Sequence, residues 1–397
     1  MSARKAVAGD GPYPLPDGWR WVKLGEVAEI LRTGVKPEDM SGDEPYLGLD
    51  CIAPGGEIAR WTTIGDENVT SNKFAFSRQH VLMGKLRPYL GKIALPEKGG
   101  LCSTDIIPIA PNEDLDRRFL GHWLRTDVMV EEANKVATGA NLPRISPKTI
   151  GQLDIPLPPL SEQRRIAEIL DVCGRLREKS EESQTELLNL EKETYLKFFN
   201  REQLSRNGVK FSNLGDVTDI VTGNTPPRSN GDNYGGELEW VKSNNLGVRT
   251  VERASEFLTH LGEKKARVAP AGSVLVTCIA GSRNSIGKCS LLDRKVAFNQ
   301  QINSVTPRRE LTSEFVYGFF NSNPEAVREK STGGMKGLVS KSEFSSISIP
   351  VPSLEMQNDY ACHVRHIFQC QEEVKEMEER CRELVSSVEY KAFRGEL

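Results

Sequence analysis

Between Ser161 and about Phe199 no proline occurs, and Ile166, Ile169, Cys173, Leu176, Leu187 and Leu190 recur at intervals built from three and four residues. That period predicts one long amphipathic helix. Pro158-Pro159 exclude helical backbone just ahead of it, Ser161 can serve as N-cap, and Glu162 falls in the first turn, where a carboxylate is favoured. The pattern returns near the other end of the chain. There Ile367, Cys370, Val374, Met377, Cys381, Leu384 and Val388 form a heptad seam, and Glu372, Glu373, Glu376, Glu378 and Glu379 crowd the opposite face.

Both helices follow the same kind of motif. Ile155-Pro-Leu-Pro-Pro-Leu-Ser-Glu-Gln163 precedes the first, and Ile349-Pro-Val-Pro-Ser-Leu-Glu-Met-Gln357 precedes the second. Further matches place the starts of the two halves in register: Leu24-Gly-Glu-Val27 with Leu214-Gly-Asp-Val217, then Thr33-Gly34 with Thr222-Gly223. The stretch Ala137–Ser146 parallels Ser331–Ser340, and the helices end alike at Tyr195/Phe198 and Tyr390/Phe393. The chain is thus a tandem duplication whose period of roughly 190 residues is too long for a solenoid repeat, so each copy needs its own core. Between these anchors the two sequences barely agree.

A helix of about 39 residues runs about 58 Å at 1.5 Å per residue, longer than a small domain is wide. Its stripe needs a partner. The second domain follows the end of helix one and precedes the start of helix two, so antiparallel pairing brings those two ends together at one domain. The alternative is that each helix caps its own domain, and Ser180 and Ser183 at the centre of the seam fit it.

At 397 residues, 38% hydrophobic and 27% charged, the chain has material for two domains plus extra helices. The first residues lack an apolar signal core and no run approaches a membrane helix, so the expected location is cytoplasmic. Eight cysteines without a C-x-x-C pair argue against a zinc site and against a disulfide framework. The net charge of −3 is unevenly spread: residues 1–154 carry 19 basic and 21 acidic groups, residues 200–348 carry 20 and 15, and both helical segments are acidic. Any contact with phosphate must therefore come from local patches.

Candidates for chemistry fail on spacing. Gly281 to Gly287-Lys288-Cys289 approaches a phosphate-binding loop, but has five residues between the glycines where four are needed, and Cys replaces Ser/Thr. His363 and His366 lie one helical turn apart without an evident third ligand. No methyltransferase or nuclease motif stands out. The residues that remain suit recognition instead. Lys85, Arg87 and Lys92 surround Tyr89, with Arg144 in the matched loop, and the second half offers Thr225, Arg228, Lys242, Asn244, Asn245, Arg283 and Asn284. These are groups that contact phosphates and base edges, whereas Trp240 reads as core.

Taken together, these motifs resemble the specificity subunits of type I restriction-modification systems over nearly the whole chain. Ile155–Ile166 looks like that family's approach to its central spacer. Thr222-Gly-Asn-Thr-Pro226, Tyr234-Gly-Gly236 and Trp240-Val-Lys242 resemble the opening of a target-recognition domain. Lys85–Leu90 with Cys102-Ser-Thr-Asp105 is similar to another domain variant, and Ala392–Leu397 to the usual C-terminal end. The second Ile-Pro copy departs from the pattern at Ser353, Glu355 and Met356.

The resemblance implies an α+β protein with pseudo-two-fold symmetry: target-recognition domains at 1–158 and 201–352, joined by antiparallel spacer helices at 159–200 and 353–397. It implies a non-catalytic reader of bipartite double-stranded DNA sites, without a cofactor of its own. Two methyltransferase subunits using S-adenosylmethionine would dock on it, as would helicase-nuclease subunits using ATP and Mg. No membrane is involved. The competing readings are a coiled-coil scaffold that binds proteins through its end domains, and a self-sufficient methyltransferase or nuclease.

Overall fold

The computed structural model describes residues 11–332 and 337–397, and the chain divides into two compact units. Unit 1 comprises residues 1–179 and 378–397, and unit 2 comprises residues 180–377. Part of the matched loop, residues 333–336, lies outside the described residues.

Unit 1 is tied off by an antiparallel strand pair, Arg20–Lys23 with Asp154–Leu157, which sets Trp21 opposite Pro156 and Val22 opposite Ile155. Pro156 has no N–H to give, and a two-stranded ribbon tolerates that. Ala28–Ile30, Ile106–Pro111, Val81–Gly84 and Ile93–Ala94 form a four-stranded antiparallel sheet. A five-stranded sheet contains a parallel pair, β1 (Pro45–Leu47) beside β2 (Gly100–Cys102). Helix α1 (Arg117–Arg125) starts where the Asp116 side chain accepts the amides of Arg118 and Phe119. Its Phe119, Leu120, Trp123 and Leu124 pack into one core with Val81, Met83, Ile107 and Ile109.

Unit 2 repeats this plan. Lys210–Asn213 pairs with Ser348–Val351, and Thr218–Thr222, Ile302–Pro307, Val274–Thr277 and Cys289–Leu291 form the four-stranded sheet. The parallel pair is β3 (Tyr234–Val241) beside β4 (Val296–Phe298). The equivalent helix, α3 (Ser313–Ser322), is capped by Thr312. Apart from the edge strand Gly34–Val35 of unit 1, without counterpart among the described residues of unit 2, the divergent middles share one strand order, because a strand requires only alternation and burial, which many sequences satisfy.

The two long helices are α2 (Leu160–Phe199) and α4 (Leu354–Ala392). Ser161 is not the N-cap of α2, since the helix already begins at Leu160 and the Pro159 carbonyl accepts the amides of Glu162 and Gln163. In the second copy Ser353 stands in place of that proline, and its hydroxyl accepts the Met356 amide at 3.3 Å. This departure from the motif supplies a cap.

The glutamine that closes each motif does more. Gln163 is fully buried; its amide nitrogen donates to the Asp114 and Pro158 carbonyls, and its oxygen accepts the Asp116 amide. Gln357 repeats each bond, donating to Glu310 and Pro352 and accepting from Thr312. One side chain therefore joins the start of the long helix to the cap of the domain helix, in both units.

In unit 1 the start of α2 and the end of α4 enter one core: Ile166, Ala167 and Leu170 are buried with Ala392 and Phe393. In unit 2 it is the end of α2 and the start of α4, with Tyr195 and Phe199 packed among Phe315, Tyr360, Val364 and Phe368. Of the expected seam, Ile166 and Cys173 are buried and Ile169 is half-buried in unit 1, beside half-buried Cys381 and Val388. In unit 2 Ile367 is buried and Leu187 and Val374 are half-buried. Leu176, Leu190, Met377 and Leu384 are instead 47–56% exposed, and Cys370 is exposed as well. The phase set at the helix starts carries the buried face through Ser180, at the centre of the expected seam, and then through Glu191 on α2 and Gln371 on α4, polar residues outside that seam. Tyr390, matched in sequence to buried Tyr195, is 59% exposed.

An equivalent ion pair has opposite polarity in the two units. Arg118 of α1 donates to Asp171 of α2 at 3.0 Å, whereas Glu314 of α3 accepts from Arg365 of α4 at 2.5 and 2.9 Å. Burial raises the Asp171 carboxyl, but His122 and Arg118 together bring it below its ordinary value. Arg118→Glu is expected to cost unit 1 about 0.5–1 kcal/mol, since the pair is partly exposed. Adding Asp171→Asn, which removes the like-charge contact and leaves an oxygen for His122, should recover part of it in urea unfolding; independent, additive losses would contradict the pairing.

Glu191 is the buried acid of unit 2. Its oxygens accept from Gln371 at 3.0 Å and from Asn321 at 2.6 Å. Burial lifts its carboxyl above the ordinary 4.5, against the Gln371, Tyr317 and Asn321 bonds and the nearby Arg249 charge. The folded chain then holds a proton that the unfolded chain has released. Stability therefore falls as pH rises from about 4.5 through the folded-state value, and stays lower above it. Glu191→Gln should raise the unfolding midpoint of unit 2 at pH 7.5 and give no gain at pH 4, followed by fluorescence of Trp240. An equal gain at both pH values would contradict this origin.

Candidate nucleic-acid interface

In unit 1 the expected residues gather where strand Val81–Gly84 ends. Lys85 lies 3.6 Å from Asp105, and Arg144 approaches the same carboxylate at 3.8 Å. Leu86 bridges to Arg144, and the Lys85 carbonyl accepts the Ile145 amide, which docks the matched loop here. Arg87 is exposed with left-handed backbone (φ 53°), its amide donating a hydrogen bond to the Pro143 carbonyl, and Tyr89 is half exposed. Lys92 differs from the others. Its ammonium is engaged by the Leu49 carbonyl at 2.8 Å, a structural contact within the unit.

Unit 2 gathers its candidates in two places. Arg228 and Lys242 share the carboxylate of Glu256, and the Arg228 guanidinium stacks over Tyr234 and Trp240 at 4.5 and 5.0 Å. The Lys242 contact, aided by Arg228, holds the Glu256 carboxyl below its ordinary range against the burial that raises it. Trp240 itself is buried, as expected of a core residue. Asn245 accepts the Lys242 amide, Asn244 is exposed, and Thr225 donates to Gln300 at 2.5 Å. Arg283 and Asn284 sit apart, in the turn after Ile279–Ala280, where Arg283 meets Glu325 at 3.4 Å and the Asn284 carbonyl accepts from Arg328. This turn leads into strand Cys289–Leu291 instead of the helix a phosphate cradle opens. His363 and His366 each bond a carbonyl of their own helix. Among the described residues no group of three or more His, Cys, Asp or Glu side chains could hold a metal, and no helix is long and apolar enough to cross a membrane.

A three-residue loop after the parallel pair organises both sites. In unit 1 the Ser103 amide donates to the Leu47 carbonyl, and the Asp105 carbonyl accepts the Lys85 amide. In unit 2 the Asn299 amide donates to Val241, and the Gln301 carbonyl accepts the Cys278 amide. The side chain of Gln301 is held by Ser243 and Asn299. Gly223 lets the Thr222–Thr225 segment pass close over this loop, since a Cβ there would lie 2.2 Å from the Asn299 oxygen. Gly34, matched to it in sequence, has open space instead. Neither Glu256 nor Asn299-Gln300-Gln301 stands out from the spacing of basic residues in the turns. The amide run directly after the apolar stretch Val296–Phe298 was the available signal.

A family model described as the type I restriction modification DNA specificity domain matches residues 16–189 and again 206–366. The chain belongs to this family. Among its relatives, the type I restriction enzyme EcoDI specificity subunit of Escherichia coli is 31% identical over 158 residues, 38% of this chain and 34% of that protein. The match to the HindI subunit of Haemophilus influenzae likewise covers 36% of its length, so this chain spans only about a third of either relative. The MjaVIII specificity subunit of Methanocaldococcus jannaschii is 24% identical across 89% of this chain and 87% of its own. A solved chain from a study of complex assembly in a type I R-M system shares the fold, with TM-score 0.62 and 23% identity over 97% of this chain and all of that one. A specificity subunit from M. genitalium does so with TM-score 0.58 and 16% identity, over 94% and 96% of the two chains. Both halves of the duplication thus belong to specificity domains.

Proposed function

We propose that this chain is the DNA-recognition subunit of a type I restriction-modification complex, one unit reading each half of a split site. The observation that carries this reading is the duplicated specificity domain, each copy presenting a Lys/Arg-flanked polar loop at the end of a parallel strand pair. Recognition domains at 1–158 and 201–352 would be separated by spacer helices at 159–200 and 353–397. Antiparallel pairing of those helices is supported by the cores they enter, the start of one and the end of the other in each unit. Half-sites about one DNA turn apart, roughly 34–36 Å, need a spacer of that scale.

The chain itself is non-catalytic in this reading. Two methyltransferase subunits bring S-adenosylmethionine, and helicase-nuclease subunits bring ATP and Mg. Those partners also supply much of the phosphate contact, beyond the local Lys/Arg clusters of this nearly neutral chain. Sequencing modified bases in cells that co-express the chain with its cognate methyltransferase should show methylated adenine in a two-part motif. A complex that assembles but modifies no motif would contradict the reading. Insertions near Ser180–Ser183 should change the gap of that motif and neither half.

A further inference from the structure

We propose that Gln300 reads an adenine in the half-site of unit 2, and that Ser103–Asp105 is the corresponding reading loop of unit 1. The inference rests on the DNA-recognition function above and goes beyond it to a residue and a base. Gln300 is the middle residue of the loop after β4, with Asn299 buried on one side and Gln301 tied down on the other. Its own side chain is exposed. It is nevertheless not free to wander, because its amide oxygen accepts the Thr225 hydroxyl at 2.5 Å.

That bond orients the amide. The oxygen keeps a second lone pair and the NH2 keeps both protons, which is the acceptor-donor pair that matches N6 and N7 of adenine in the major groove. Flanking groups suit the task. Arg228 and Lys242, clamped on Glu256 and stacked on Trp240, place positive charge on the same segments for the phosphates. Pre-ordering by Thr225 and the close pass of Gly223 reduces the entropy lost when the loop meets DNA. In unit 1 the same backbone bonds hold a loop whose middle residue is Thr104, so the two units share the device but not the letters.

The test is competition binding of the assembled complex to duplexes carrying every single-base change in the site. Gln300→Ala should reduce discrimination at one A·T pair by about five- to a hundred-fold, the worth of one bidentate contact. That pair should lie in the half-site that changes when residues 201–348 are exchanged, with all other positions unaffected. Thr225→Val should weaken the same position to a smaller extent. Unchanged discrimination, a uniform loss at all positions, or relaxation at a G·C pair would each overturn the proposal. Failure of the wild-type complex to prefer any split motif would instead remove the DNA-reading function itself, so the two failures are distinguishable.

Discussion

Truncating Phe393 to alanine is expected to destabilise unit 1 by about 3–5 kcal/mol, the range for a buried aromatic replaced by a methyl group. Phe393 is 3% exposed and packs on Phe119 and Trp123 with ring centroids 5.4 and 5.0 Å apart. Tyr13 adds a bond from its hydroxyl to the Phe393 carbonyl. Phe393, with its neighbour Ala392, thus completes a core whose other buried members come from the first half of the chain. Urea unfolding followed by tryptophan fluorescence checks this: the transition of unit 1 should move to lower urea, while that of unit 2 stays. A loss below about 1 kcal/mol would mean that the end of α4 is peripheral to unit 1.

Gln357→Leu should cost unit 2 about 2–4 kcal/mol. The leucine fills the volume, but it strands the Thr312 amide and the Glu310 and Pro352 carbonyls, and buried groups left unpaired cost roughly 1–3 kcal/mol each before relaxation. Gln357→Glu offers no NH2 group and should recover little. Gln163→Leu should do the same to unit 1, with the transitions exchanged. Chemical denaturation of both variants would show the symmetry, and a loss in one unit only would show that the two motifs are not equivalent in energy.

These two predictions mark where the chain was legible and where it was not. The long helices were visible because heptad spacing over many turns is redundant: no single residue decides it. Their buried face was harder, since Leu176 and Leu384 present the right chemistry at a neighbouring phase, and the true face passes through Glu191 and Gln371. Only the cores at the helix ends decide the phase. The strand order of the two middles could not be read by comparing them. Tyr46 opposite Leu101 and Trp240 opposite Ala297 occupy one topological position with no residue in common.

The candidate site shows the same division. Lys85 with Arg144, and Arg228 with Lys242, were visible as basic residues in turns, and the structure brings each pair onto one carboxylate. Lys92 has the same local appearance, yet the Leu49 carbonyl, 43 residues away, takes its ammonium. Thr225 and Gln300 meet across 75 residues, a separation at which sequence pattern carries no information.

The proposed division of labour between the units is open to one direct measurement. Residues 201–348 are replaced by the equivalent segment of another specificity subunit, the chain is expressed with the methyltransferase proposed to dock on it, and modified bases are mapped across the genome. One half of the motif should change while the other half and the gap persist. Alteration of both halves, or of neither, would contradict the assignment of one unit to each half-site.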